Sequence, residues 1–126
     1  MKNILLVACA LFCTATFSFA LNAEETKPLS EVKKDVQEGK AVLVDVREKK
    51  EWDEGHLKDA KLVPLSALKA EQNAAADLPK DKTIYLHCKM GKRAAAAAEI
   101  LNNLGYHAIP LKESFEDLSK SFEPAK

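Results

Sequence analysis

The apolar positions of this chain fall into two alternating patterns. From Pro28 onward, Leu29, Val32 and Val36 recur at helical spacing, with Ser30 as N-cap and Gly39 as stop, which predicts a short amphipathic helix over 29–39. Residues 41–46 (Ala-Val-Leu-Val-Asp-Val) form a nearly continuous apolar run of strand length, the pattern of a strand buried on both faces of a parallel sheet. A charged helical turn containing Trp52 follows over 48–54, then an extended stretch over 61–65 and an alanine-rich helix over 66–76 capped by Ser66. The polar turn 77–82 leads to a β-branched and aromatic segment from Thr83 to His87, read as the central strand. Residues 94–104 have the strongest helix propensity in the chain, Gly105 ends that helix, 106–111 reads as another strand, and 113–122 reads as a last helix using Phe115, Leu118 and Phe122. Strands alternating with helices predict an α/β fold in three layers, a central parallel sheet with right-handed crossovers and helices on both faces.

The chemistry concentrates at one junction. Cys88 follows the central strand, and Lys89, Met90, Gly91, Lys92 and Arg93 connect it to the alanine helix. Loop N–H groups and the positive end of a helix favour an anion, and three cations add full charges, so the junction predicts a thiolate nucleophile in a cradle for a small anion. The alternative is an inert buried cysteine, the commoner fate of a free thiol. The three cations and the glycine beside Cys88 argue for the reactive reading.

Charge and cysteine usage sharpen this picture. Lysine plus arginine equals aspartate plus glutamate, 19 each in 126 residues, so no nucleic-acid partner is expected and the positive charge at the loop is local. Residues 1–23 read as a secretory signal peptide: Lys2 is the basic start, 4–19 the apolar run, and Ala20 or Ala23 the last residue before cleavage. Leu6-Val7-Ala8-Cys9 also resembles a lipoprotein cleavage box, although it leaves a very short signal. The run is short for a bilayer span and no basic stop-transfer cluster follows, so no stable membrane anchor is expected. Residues 24–126 then form a single exported domain, expected in the periplasm, in which Cys88 is the only thiol. An unpaired cysteine in an oxidising compartment points either to intermolecular pairing or to a reactive thiol.

Asp45 and Arg47 lie two positions apart near a strand's carboxyl end, where both side chains project from one face. A catalytic role is conceivable there, but a partly buried structural pair is the commoner use, and both are read as supporting residues. Trp52 reads as a packing anchor covering a sheet edge, and His56 as a tether for backbone carbonyls. His87 points to the face opposite Cys88 if the strand continues that far, which makes it a poor general base.

Taken together, these landmarks resemble a known family. Asp45-Val46-Arg47, Glu51-Trp52-Asp53-Glu54-Gly55-His56-Leu57, Ala60, Val63-Pro64-Leu65, His87-Cys88 with Gly91 and Arg93, and Ala97 through Leu104-Gly105-Tyr106 are similar, in order, to those of a single-domain rhodanese. The size and signal peptide also resemble small exported rhodaneses of the phage-shock-protein E type. The resemblance implies a three-layer rhodanese-like fold and a sulfurtransferase in which Cys88 takes sulfur from thiosulfate, releases sulfite, and passes the sulfur as a persulfide to cyanide or another thiophilic acceptor. Lys89, Met90, Gly91, Lys92 and Arg93 match the substrate-binding loop, and no metal or organic cofactor is implied. The four residues between Cys88 and Arg93 favour a pocket sized for sulfur over arsenate-reductase or phosphatase-like chemistry, whose relatives have a loop one residue longer. A sulfur- or anion-carrying module with a dedicated protein acceptor is the other class of function. The family's Gly-Gly pair after the last strand is replaced by Lys112-Glu113-Ser114, so the geometry of that turn is left open.

Overall fold

The computed structural model describes residues 27–126; the expected signal peptide, with its cleavage sites and the Cys9 box, lies outside the described residues. Four parallel strands build the main sheet: β1 (Ala41–Asp45), β3 (Ala60–Leu62), β4 (Thr83–His87) and β5 (His107–Pro110), in the order β3-β1-β4-β5. The register runs Leu43 opposite Tyr85, and Tyr85 opposite Ile109. Helices α1 (Leu29–Gln37), α2 (Lys49–Glu54), α3 (Leu65–Ala70), α4 (Lys92–Asn103) and α5 (Phe115–Ser121) connect and cover these strands.

The continuous apolar runs have the cause expected of them: each face of the sheet carries its own core. Val44, Val46, Ile84, Leu86 and Cys88 pack with Leu65, Leu68, Ala94, Ala97, Ala98 and Leu101 on the α3–α4 side. Ala41, Leu43 and Tyr85 pack with Val32, Leu111, Leu118 and Phe122 on the α1–α5 side. The period-two alternation of β4 therefore sends Cys88 toward α4 and His87 toward the other layer.

Several elements differ from the sequence reading. Helix α1 starts after Pro28 rather than at a Ser30 cap; proline's fixed φ sets the entry, and no side chain caps the helix. Ser66 is likewise not a cap, since α3 begins at Leu65 behind Pro64 and the Ser66 hydroxyl donates to Glu48 Oε2 at 2.8 Å. The expected 66–76 helix is broken at Glu71, whose extended backbone separates α3 from a 3₁₀ turn over Gln72–Ala75. Finally, two-residue strands β2 (His56–Leu57) and β6 (Pro124–Ala125) pair antiparallel beside the main sheet. Elements that short have no periodicity to read.

Candidate functional site

The loop between β4 and α4 lies at the carboxyl edge of the sheet, where β1 ends at Asp45, β4 at His87 and β5 at Pro110. Neighbouring backbone clamps its first residues: Val46 N donates to His87 O, and Phe115 N donates to Lys89 O at 3.0 Å. Gly91 closes the loop with a φ of 97°, a left-handed conformation that L side chains disfavour, and its carbonyl accepts from Ala95 N as α4 begins. Helix α4 therefore starts at Lys92, two residues earlier than its alanine run, and Lys92 and Arg93 occupy its first turn.

Cys88 is 1% exposed, so the thiol lies beneath the loop rather than at its mouth. The residue continues the apolar face of β4, among Val46, Leu86 and Ala94. Burial is thus what the inert reading expected, but the sulfur has a polar partner: Gly91 N–H donates to Cys88 Sγ at 2.9 Å. A backbone donor aimed at a buried sulfur supports negative charge on it.

The loop's cations have different situations. Lys89 and Lys92 are exposed, and neither side chain forms a hydrogen bond or ion pair among the described residues. Met90 is 71% exposed. Arg93 instead makes a two-pronged bond to Glu51 of α2, at 2.6 and 2.8 Å. Two cations in the first turn oppose the helix dipole, and Glu51 supplies a compensating charge there. The Arg93 bond holds the Glu51 carboxyl down at about 2, and Glu48 N–H adds a second donor to the same carboxylate. In sequence Glu51 stood only as the first residue of the landmark Glu51–Leu57, with no role assigned to its carboxylate.

Asp45 and Arg47 form a buried unit. Arg47 donates through N, Nε and Nη2 to the Asp45 carboxylate at 2.8–3.0 Å, and Nη2 also reaches Gly55 O at 2.8 Å. The guanidinium lies 3.9 Å from the centroid of Phe115. This arrangement ties β1 to the end of α2 and to the start of α5. His56 tethers a carbonyl, its Nδ1 donating to Trp52 O at 3.1 Å, and its ring stacks on the Trp52 indole at 3.7 Å.

His87 is fully buried on the opposite face, and neither ring nitrogen has a hydrogen-bond partner; Asp45 Oδ2 is 3.8 Å from Nε2. Burial holds its pKa below that of a free histidine, against the pull of Asp45. The turn 112–114 is ordered by Ser114, whose hydroxyl accepts from Asp117 N at 3.1 Å and caps α5. The same turn presents Phe115 N to the loop, so the departure from the family's glycine pair leaves the loop clamped.

Comparison with known proteins agrees with this architecture. The model of the family described as "Rhodanese-like domain" matches residues 28–121. The thiosulfate sulfurtransferase PspE of Escherichia coli is 29% identical over 76 residues, covering 60% of this chain and 72% of that protein. The probable adenylyltransferase/sulfurtransferase MoeZ of Mycobacterium tuberculosis is 35% identical over 86 residues; the match covers 68% of this chain but only 22% of the length of MoeZ. Among solved structures, the human single-domain sulfurtransferase TSTD1 superposes with a TM-score of 0.64 at 27% identity, covering 73% of this chain and 92% of its own.

Proposed function

Because the chain belongs to the rhodanese-like domain family, we propose that it is a thiosulfate sulfurtransferase working through a persulfide on Cys88. The observation that carries this reading is the Gly91 N–H donated to Cys88 Sγ at 2.9 Å, in the loop that leads from the one thiol among the described residues into the N-terminus of α4. The thiolate attacks the outer sulfur of thiosulfate, the S–S bond of the donor breaks, and sulfite departs with the bonding pair. A thiophilic acceptor, cyanide or a thiol, then attacks the outer sulfur of the persulfide and returns Cys88 as a thiolate. Gly91 N–H steadies the charge on Sγ at both ends of the cycle. Exposed Lys89 and Lys92 draw the dianionic donor to the loop, with Met90 beside them, and Arg93 fixes the loop to α2 through Glu51. The basic and apolar start of the chain supports export to the periplasm.

Thiocyanate formation from thiosulfate and cyanide by the purified protein, beside Cys88→Ser, tests the proposal. Turnover in the parent, none in Cys88→Ser, and a mass gain of one sulfur atom after thiosulfate alone are expected. No turnover and no adduct in a reduced, folded sample overturn it. A second reading, delivery of sulfur to a protein acceptor, draws on the 71% exposure of Met90 in the loop after Cys88 and on the match to a segment of the larger MoeZ. Transfer only in the presence of a copurifying protein would favour it.

A further inference from the structure

Phe115, the first residue of α5, is held through its ring and acts through its backbone. The ring is flanked by the Arg47 guanidinium, 3.9 Å from its centroid, and by the His87 ring, whose centroid is 6.1 Å away at an interplanar angle of 17°. The first N–H groups of a helix have no partner within it. Here Ser114 Oγ takes up the one at Asp117, at 3.1 Å, and the one at Phe115 is donated to Lys89 O, at 3.0 Å, in the loop that carries Cys88.

That bond fixes a peptide plane directly after the nucleophile. The chain has no cis peptide bond among the described residues, so the Lys89 carbonyl and the Met90 N–H point in opposite directions. The carbonyl is held toward α5, on the layer that includes Leu118 and Phe122, and the Met90 N–H is thereby turned toward the other layer, where Cys88 packs with Ala94. The next amide along, Gly91 N–H, already reaches Cys88 Sγ at 2.9 Å. Successive N–H groups leading into a left-handed residue converge on one concavity, and Gly91 has that conformation. The orientation of the Met90 amide is thus set from α5, 25 positions further along the chain, rather than within the loop.

We infer that Phe115 is a positioning residue for sulfur transfer: by holding the Lys89 carbonyl, its backbone N–H aims the Met90 N–H, beside that of Gly91, at the sulfur being transferred. The inference rests on the sulfurtransferase reading above. When the Cys88 thiolate attacks thiosulfate, the Sγ–S bond forms, the S–S bond of the donor breaks and sulfite leaves with the bonding pair. The negative charge then sits on the outer sulfur of the persulfide, where a second N–H donor is matched to it. No oxidant or reductant is required.

The test replaces single amides by esters in the purified protein. Phenyllactate at position 115 keeps the ring and deletes the N–H. An ester one residue later, at 116, perturbs the same turn of α5 and leaves the Phe115 N–H in place. Persulfide loading is followed by intact mass at rising thiosulfate concentrations. The 115 ester is expected to lower the loading rate at saturating thiosulfate about tenfold; outright deletion of a catalytic donor costs about 100- to 1,000-fold, and here the Met90 amide is loosened rather than removed. The half-saturating concentration is expected to stay within about twofold, because exposed Lys89 and Lys92 still draw the dianion. The 116 ester is expected to load at the parent rate. Phe115→Pro beside Phe115→Ala repeats the comparison with encoded residues. Proline suits the first helical position, the Ser114 ψ of 159° suits a residue preceding it, and only the proline lacks the N–H, so only it is expected to lose loading beyond its loss of stability. Parent-like loading by the 115 ester, or equal slowing by both esters in step with their melting temperatures, overturns the positioning role while the parent's loading keeps the sulfurtransferase. A folded, reduced parent that takes up no sulfur overturns both.

Discussion

His87 shows how one side chain registers its surroundings. It is buried with two unpartnered ring nitrogens, and burial holds its pKa below the free value of 6.5. The unfolded chain therefore binds a proton at a pH where the folded chain does not, so stability rises with pH across this window. We expect stability to be full above about pH 6.5 and to fall below it, with a slope approaching about 1.4 kcal/mol per pH unit from this residue. His87→Phe keeps a ring beside Phe115, whose centroid is 6.1 Å away, and removes both orphaned nitrogens. Urea melts at pH 5 and pH 8 are expected to differ less in the variant than in the parent, and an unchanged difference would refute this account. The direction in which His87 points was legible from strand alternation alone, but its lack of partners was not, because solvation depends on what the second layer brings to it. Arg93 illustrates the same limit: its charge was legible, and its bond to Glu51, 42 positions earlier, was not.

At the scale of the element, the junction of β4 and α4 depends on one backbone conformation. Gly91 has a φ of 97°, and a Cβ built there would lie 3.5 Å from Lys112 O, an ordinary contact. The cost of Gly91→Ala is thus backbone strain rather than collision, about 1–2 kcal/mol. Because Gly91 N is the donor to Cys88 Sγ, the rate of sulfur loading from thiosulfate is expected to fall well beyond the loss of stability. A variant that is destabilised but loads at the parent rate would show that this bond is dispensable. The glycine, the strand before it and the helix after it were all readable in sequence. The start of α4 was read two residues late, since propensity marks the alanines whereas the helix begins directly after the left-handed turn at Gly91.

Across the whole molecule, the Asp45–Arg47 unit joins β1, the end of α2 and the start of α5, all around the loop that carries Cys88. Asp45 is 0% exposed, so Arg47→Ala leaves a buried carboxylate without its main partner, at a cost of about 3–5 kcal/mol. For a domain of this size the melting temperature is expected to fall by more than about 10 °C. Replacing both together, Asp45→Leu with Arg47→Met, is expected to recover most of that loss, because no charge is left stranded. If the double variant melts no higher than Arg47→Ala, the pair acts through geometry rather than charge compensation. The sequence by itself determined the parallel α/β architecture, the opposite facing of Cys88 and His87, and the pairing of Asp45 with Arg47. These follow from the period of the hydrophobic pattern and from local spacing, which act over a few residues. Only the tertiary structure decided that Cys88 is covered, that Glu51 takes up Arg93, that β2 meets β6, and that Phe115 N–H holds the Lys89 carbonyl. Each of those joins residues far apart in the chain, and such contacts are set by how the layers pack rather than by any pattern within one segment.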